Sequence, residues 1–328
     1  MTSGTIGIVG AGVAGLACAT RLAEAGRRVS VIEKSKGLGG RLATRRAEVG
    51  AFDHGPPGFT AADPGFRAAV EHAVAAGAAA PWPGGEAVVL SGPPGEAFVG
   101  LPGASGFARG FLGGAPVEVR FASEARALAR SGAGWRVEAD GIEAEAFDAL
   151  VLAVPAPQAR RLLDADSDAY AATATAGLDA VAYRPVMTAM LALDGTLPAG
   201  VERRVRDHPV LAKAIRQSAL PGRDGPGERW VIHAAADWSR ANLDTEKPAI
   251  ADALVAAFAE AVGDLPGETY RAGHRWRYAL TETPLGRPCL WDADRRLGLC
   301  GDWCLGDGVE HAWCSGVAMA EAVLAHPA

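Results

Sequence analysis

Residues 5–9, TIGIV, form an unbroken apolar run that turns at GAGVAG into VAGLACATRLAEAG, where small and apolar residues recur at helical spacing as far as Gly26. A short apolar run fits a strand buried on both faces, and a glycine closing a helical stretch fits a C-terminal stop. RVSVIEK then predicts a second strand, ending in an acid. Strand, glycine turn, helix and strand are the opening of a doubly wound parallel sheet. From 117 to 155 apolar and polar residues alternate and are broken at SGAG, which predicts antiparallel ribbon closed by an apolar strand at 149–154. Pro155 and Pro157 end that strand.

Residues 61–115 are rich in Ala, Gly and Pro, with a helical piece near 64–76 and short extended pieces at 86–90 and 96–99. VMTAMLAL and RWVIHAAA predict strands, and KPAIADALVAAFAEAVG (247–263) predicts an amphipathic helix with Pro248 in its first turn. The chain returns with LGLCGD (297–302) as a buried strand and SGVAMAEAVLA as a last helix. The fold class expected is α/β: a Rossmann-type nucleotide-binding domain with a parallel sheet, interleaved with a second α+β domain on a mainly antiparallel sheet. The first would comprise 1–60, 103–160 and 290–328, and the second, a substrate domain, 61–102 and 161–289.

Composition narrows the function. At 328 residues, 49% apolar and 21% charged, the chain is of ordinary globular make-up and long enough for two domains. A formal charge of −6 and the lack of a basic run with interleaved aromatics argue against nucleic acid. No apolar stretch is long enough to span a bilayer. MTSGTIGIVG carries no basic segment with a cleavage site, so a cytoplasmic location is expected. The five cysteines are odd in number and four fall late in the chain, which is no disulfide framework. Cys300, Cys304, His311 and Cys314 contain the atoms of a zinc site but lack a C-x-x-C pair, and small buried side chains are the better account, so no metal is expected.

The chemistry starts at Gly10, Gly12 and Gly15, a G-x-G-x-x-G between strand and helix, with Glu33 at the end of the second strand. The first glycine permits the turn, the second lets a pyrophosphate reach backbone, and the third lets helix and strand pack closely. Peptide N–H groups and the helix dipole then face the phosphates. Glu33 would accept hydrogen bonds from ribose hydroxyls and repel a 2′-phosphate. This fingerprint serves NAD and FAD alike. GLGGRLATRR (37–46) lies just behind Glu33. Gly39 and Gly40 would permit close approach to the same crevice and Arg41 charge-assisted bonds, which tips the reading to FAD. Arg45 and Arg46 fit a solvated turn equally well.

Glu33, GGRLATRR, FDHGPPGFTAADP, VLAVPAPQARRLL, HRWRYAL and LCGDWCLGDGVEHAWCSGVAMAEAVL together resemble the renalase family of FAD-dependent oxidoreductases, part of the monoamine oxidase-like group of two-domain flavoproteins. The likeness covers most of the chain and is thin between about 160 and 270. It implies that Gly10, Gly12, Gly15, Glu33, Gly40 and Arg41 hold the ADP half of FAD, with Val13, Ala14, Lys34 and Gly39 beside them. It further implies that backbone near Val119 meets the adenine side and that Gly301 and Asp302 bind the ribityl or pyrophosphate portion. His54 and Gly55 would lie near the flavin. Ser315 and Gly316 are expected to open the last helix and aim its N-terminal amides at the flavin, where reduction places negative charge. In HRWRYA, alternation puts His274, Trp276 and Tyr278 on one strand face, a substrate-orienting wall, with Arg275 and Arg277 on the other.

The resemblance implies an oxidase that takes hydride from the 2- or 6-dihydro isomers of NAD(P) and reduces O2 to H2O2. Amine oxidation, and flavin binding without turnover, stay open as alternatives. One departure matters. Where renalase sequences continue Asp-His-Gly with Ala-Gln-Tyr, this chain has Pro56, Pro57 and Gly58, losing an amide and a phenol near the expected flavin face.

Overall fold

The computed structural model describes residues 4–326 except 88, 90–93, 165–176, 207, 224 and 226. Thr5–Val9 lies inside a six-stranded sheet, between Arg28–Ile32 on one side and Ala149–Leu152 on the other. Leu297–Leu299 and then Leu290–Asp292 extend the sheet past Ala149–Leu152, and Val117–Arg120 closes the opposite edge. All neighbours run parallel except Leu290–Asp292, which pairs antiparallel. A parallel sheet is covered on both faces, so its strands read as continuous apolar runs. Ile6, Ile8, Val29 and Val31 pack beneath the helices Val13–Glu24 and Val309–Ala325. Val9, Ile32, Leu150 and Leu152 pack with Trp135 and Phe147 of a three-stranded antiparallel ribbon, Ala125–Ser131, Gly134–Ala139 and Glu145–Phe147.

The second sheet is antiparallel, in the order Leu211–Arg216, Glu228–Ala234, Ala182–Leu193, Glu268–Thr283. Helix Lys247–Val262 covers one face, burying Ile250, Leu254 and Phe258 against Leu191, Trp230 and Ile232. The opposite face meets the hairpin Thr44–Ala47/Gly50–Asp53, where Phe52 packs on Met190, Ala192 and Val231. The expected fold class is therefore present, a Rossmann-like domain beside an antiparallel sheet domain.

Four local expectations change. Val117–Arg120 is not ribbon but a parallel edge strand, because its four residues reach the open side of Arg28–Ile32. The last helix begins at Val309, six residues before Ser315. Helix Pro64–Ala75 and strand Ala97–Gly100, which the sequence grouped within 61–102 in the second domain, share a core with the first: Phe66, Val70 and Phe98 pack in one cluster with Ile8 and Leu16. Of the extended piece expected at 86–90, residues 88 and 90 lie outside the described residues, and Gly85–Ala87 form a 3-10 turn.

A buried ion pair joins the Thr44–Ala47/Gly50–Asp53 hairpin to the segment between Leu211–Arg216 and Glu228–Ala234. The Asp53 carboxylate accepts from Arg223 Nε at 2.8 Å, Thr44 Oγ1 at 2.6 Å and the Ala104 N–H at 2.9 Å. Arg223 Nη2 adds a second bond to it, and the Asp53 N–H donates to Gln217 Oε1 at 2.9 Å. The Asp53 and Arg223 side chains are 1% and 2% exposed. Removing one partner of such a pair strands a buried charge, which costs about 3–5 kcal/mol. Arg223→Met is expected to lower unfolding stability by about that amount in urea titration, whereas Arg126→Met, which breaks only solvent-exposed pairs with Glu124 and Asp140, leaves the midpoint unchanged.

Candidate functional site

A cavity of about 1220 Å³ opens between the C-terminal ends of the parallel strands and the antiparallel sheet. Its floor on the first side is the glycine turn. Gly10 sits at φ +107°, a conformation that favours glycine, and a Cβ on Gly15 would stand 2.0 Å from the Gly10 carbonyl oxygen. Gly10 thus makes the turn and Gly15 packs helix on strand; Gly15 does not line the cavity. Gly12 differs from both. A Cβ there would meet nothing within 4 Å, and the helix it opens has no side-chain cap. Unused amides and space free of protein atoms are what a pyrophosphate requires. Val13 and Ala14 line the cavity beside Gly12.

Glu33 is 6% exposed and fixed at both oxygens, accepting the Ala11 N–H at Oε2 and the Ser35 N–H at Oε1, each at 2.7 Å. An ionised carboxylate has lone pairs to spare, so a diol can still bind it. Lys34 lines the same wall. Gly39 pairs with Gly12 in a parallel bridge, its N–H donating to Ala11 O at 2.8 Å. Gly40, at φ +56°, stands so close that a Cβ would be 3.2 Å from the Gly12 Cα. The second glycine stretch therefore folds back over the first, as its spacing suggested.

Arg41 and Asp302, expected to serve separate parts of the cofactor, bind each other. Nη1 and Nη2 of Arg41 donate to Oδ2 and Oδ1 of Asp302 at 2.7 and 2.5 Å, and Nη1 also reaches Ala279 O at 3.1 Å. Both line the cavity, as does Gly301, so the pair meets the crevice as a neutral unit that ties the glycine loop to the late Gly-Asp element.

Two expectations are corrected here. Val119 pairs with Val31 inside the sheet and does not reach the cavity; Ser123, Glu124 and Ala125 line that end instead. Ser315 and Gly316 are buried in mid-helix. Ser315 Oγ accepts the Gly301 N–H at 3.0 Å, and a Cβ on Gly316 would lie 2.1 Å from Ala14 O, so Gly316 serves close packing of two helices. The end that faces the cavity is Gly308, Val309 and Ala312. The overlooked signal was Gly308 followed by Glu310, whose carboxylate takes the N–H groups of Ala62 and Asp63 at 2.6 and 2.9 Å.

On the far side, rings form a wall. His54 stacks on Trp276 with centroids 5.0 Å apart and meets His274 edge-on at 4.7 Å. Trp276 Nε1 donates to His54 O at 2.8 Å. Gly55 is pressed against the Arg41 carbonyl, where a Cβ would lie 1.9 Å from the oxygen. Tyr278 lines the cavity in edge contact with Tyr183. Arg275 donates to the Leu243 carbonyl at 3.0 Å, and Arg277 pairs with Asp244 at 2.9 Å. Burial holds His54 down to about 4 and His274 down to about 3, so both rings are neutral at pH 7. Lys213 and His233 also line this side; sequence reasoning missed them, though a lone lysine in LAKAIR and a lone histidine in WVIHA were the available signals. The thiols of Cys304 and Cys314 are pushed up to about 12 by burial, and among the described residues no His/Cys/Asp/Glu group is placed to hold a metal.

Two family models match the chain. An NAD(P)-binding Rossmann-like domain matches residues 8–73, and a flavin containing amine oxidoreductase matches residues 88–324. Among solved structures, a protein assigned as a protoporphyrinogen oxidase from Exiguobacterium sp. 255-15 superposes with a TM-score of 0.69 at 15% identity, covering 98% of each chain. Wild-type putrescine oxidase bound to putrescine gives 0.63 at 13% identity, covering 98% of this chain and 99% of that one. At such identities the likeness establishes the fold. The 4,4'-diapophytoene desaturase (4,4'-diaponeurosporene-forming) of Staphylococcus haemolyticus (strain JCSC1435) is 47% identical over 51 residues, 16% of this chain and 10% of that protein. The chain thus spans about a tenth of the length of the curated relatives it matches.

Two outcomes follow from this geometry. Gly12→Ala is expected to leave the urea midpoint of the flavin-free protein unchanged while lowering bound flavin, read from absorbance after gel filtration, about tenfold or more. Gly15→Ala, by contrast, drives a methyl into backbone and lowers stability by about 1–3 kcal/mol. Second, His54 and His274 titrate lower when folded than their ordinary 6.5, so the unfolded chain binds more protons between those values. Stability should therefore fall as pH drops from about 6.5 toward 4. His54→Phe keeps the stacked ring and should flatten that fall by at most about 1.4 kcal/mol per pH unit, measured as urea midpoints across the range.

Proposed function

The chain belongs to the flavin containing amine oxidoreductase family and takes FAD as its cofactor, and on that premise we propose that it is an oxidase of renalase type, accepting a hydride from a dihydronicotinamide and reducing O2 to H2O2. The crevice suits the cofactor: uncapped amides at Gly12, a fixed acid at Glu33 and open space before the glycine turn. FAD supplies the hydride acceptor when bound. We assign Gly10, Gly12, Val13, Ala14, Glu33, Lys34, Gly39 and Gly40 to its ADP half, with the Arg41–Asp302 pair fixing the loop that covers it.

The observation that carries the choice of donor is the lining drawn from the antiparallel sheet and its covering helix. It contains rings and cations, among them Arg184, Lys213 and Lys247, and no carboxylate among the described residues. A diamine cation would find no counter-charge there, whereas a flat neutral ring can stack on His54, His274 and Trp276. Hydride loss from a dihydronicotinamide also requires no base, since no proton leaves the carbon. The neutral histidines then act by orientation and by excluding water. The N-terminus of Val309–Ala325 presents its positive end to the cavity and favours negative charge developing beside it.

Amine oxidation is the second reading, favoured by Lys213, which burial pulls down to about 7 and so makes a base able to take the proton of an ammonium. Anaerobic mixing of the flavoprotein with 2- and 6-dihydro isomers of NAD(P) and with a panel of amines separates the two. Bleaching of the flavin by the dihydronicotinamides is expected. Bleaching by amines alone overturns the proposal, and a flavin that nothing reduces points to binding without turnover. Trp276→Leu should slow reduction about 10²-fold with flavin content retained, because it removes the wall on which the donor is oriented.

A further inference from the structure

The antiparallel sheet carries a polar row in one register. Lys213 pairs with His233, His233 with Thr188, and Thr188 with His274, one residue from each of the four strands. Directly paired residues project from the same face, so the four groups lie in a line with neighbours about 5 Å apart. Met190 and Val231, two residues along their strands from Thr188 and His233, meet Phe52 of the hairpin, which fixes this face as the one turned to the other domain. The ring wall therefore ends at His274, and the row continues from it through Thr188 to His233.

The middle of the row has hydrogen-bonding capacity that the described residues do not use. His233 Nε2 and Thr188 Oγ1 are both buried without a partner. Buried polar atoms are ordinarily satisfied by protein, water or ligand. His233 is 7% exposed and lines the cavity, with Thr188 fully buried next to it. Ala212, Ala234 and Ala236 line the cavity on the same side, and their small side chains leave room for a guest. A ring laid against His54 and His274 leaves the row beyond it for a substituent.

Hydrogen-bonding chemistry selects that substituent. Burial holds the His233 imidazole well below its ordinary 6.5, so at pH 7 it carries one donor, one acceptor and no charge. The Thr188 hydroxyl also serves in either role. A primary carboxamide donates and accepts at once, whereas an ammonium only donates and a carboxylate only accepts. An ammonium would find no counter-charge, because the antiparallel sheet and its covering helix contribute no carboxylate to the lining among the described residues. A carboxylate gains little: Lys213 already has an interaction partner and Lys247 is exposed to solvent. Arg184, paired with Leu280, lies beyond Trp276 and Tyr278 at the other end of the wall. We propose that His233 recognises the carboxamide of the donor, so that the substrate is a ring bearing a neutral primary amide, its ring against His54, His274 and Trp276. This rests on the cavity being the donor site of a flavin oxidase, and it separates donors that differ only in the group attached to the ring.

Nicotinamide and 3-isopropylpyridine, which carries methyl groups in place of the amide oxygen and nitrogen, test the subsite without turnover, by calorimetric titration of the FAD-loaded protein at pH 7. Nicotinamide is expected to bind about tenfold tighter or more, since the hydrocarbon leaves a buried polar atom unpaired. His233→Leu should abolish that preference with flavin content retained, and His233→Gln, which keeps a donor and an acceptor, should preserve most of it. Equal binding of the two probes by the wild-type protein, or a preference that survives His233→Leu, overturns the proposal. So does tighter binding of nicotinate or of 3-(aminomethyl)pyridine than of nicotinamide, which would make the end of the row a site for a charged group; this comparison is read on the wild-type protein alone. If nicotinamide is preferred but dihydronicotinamides fail to bleach the flavin, the amide subsite stands and the donor assignment falls; if they bleach it and the preference is missing, the reverse holds.

Discussion

The Asp53–Arg223 pair is the constraint on which the cavity depends. It lies at the end of the hairpin that carries His54, and it reaches from that hairpin to helix Ala104–Gly110 and to the loop behind strand Leu211–Arg216. Desolvating two charges is unfavourable, and an apolar pair of similar volume could be as stable. Its use lies in geometry: a carboxylate that accepts from four donors admits one arrangement of the elements around it. Because His54 follows Asp53 directly, its stacking on Trp276 and His274 inherits that arrangement.

A second pair divides the cavity electrically. With Arg41 turned onto Asp302, the nucleotide side meets phosphate mainly through backbone amides and helix ends rather than through a guanidinium. On the antiparallel sheet and its covering helix the lining carries Arg184, Lys213 and Lys247 beside the rings of His54, His274 and Trp276, and no carboxylate among the described residues, whereas the opposite side carries Glu33, Glu124 and Asp302.

The parts legible in sequence were those in which one short segment determines its own geometry. Gly10, Gly12 and Gly15 need only the strand before them and the helix after them, and Glu33 and Gly39 follow within the same unit. Val119 and Ser315 failed for a different reason. Where a strand edge meets the crevice, and which turn of a helix faces it, depend on register against distant partners; Gly316 looked like a helix start but is small because Ala14 lies against it. The Lys213–His233–Thr188–His274 row was invisible for the same cause, since it draws one residue from each of four strands. Asp53 was passed over beside His54, and its partner stands 170 positions away.

The departure at Pro56, Pro57 and Gly58 now has a physical content. All three line the cavity, and a Cβ on Gly58 would come within 2.6 Å of the Phe98 carbonyl oxygen and 2.9 Å of the Trp82 ring. The phenol that renalase sequences carry at this point has no room here, because strand Ala97–Gly100 and Trp82 occupy its space. Whatever orientation that phenol and the neighbouring amide would give a donor must come from elsewhere. Beside Pro56, Pro57 and Gly58 the cavity lining carries the rings of His54, His274 and Trp276. The difference is confined to this side of the cavity, and the glycine turn and Glu33, which line its opposite side, are untouched by it.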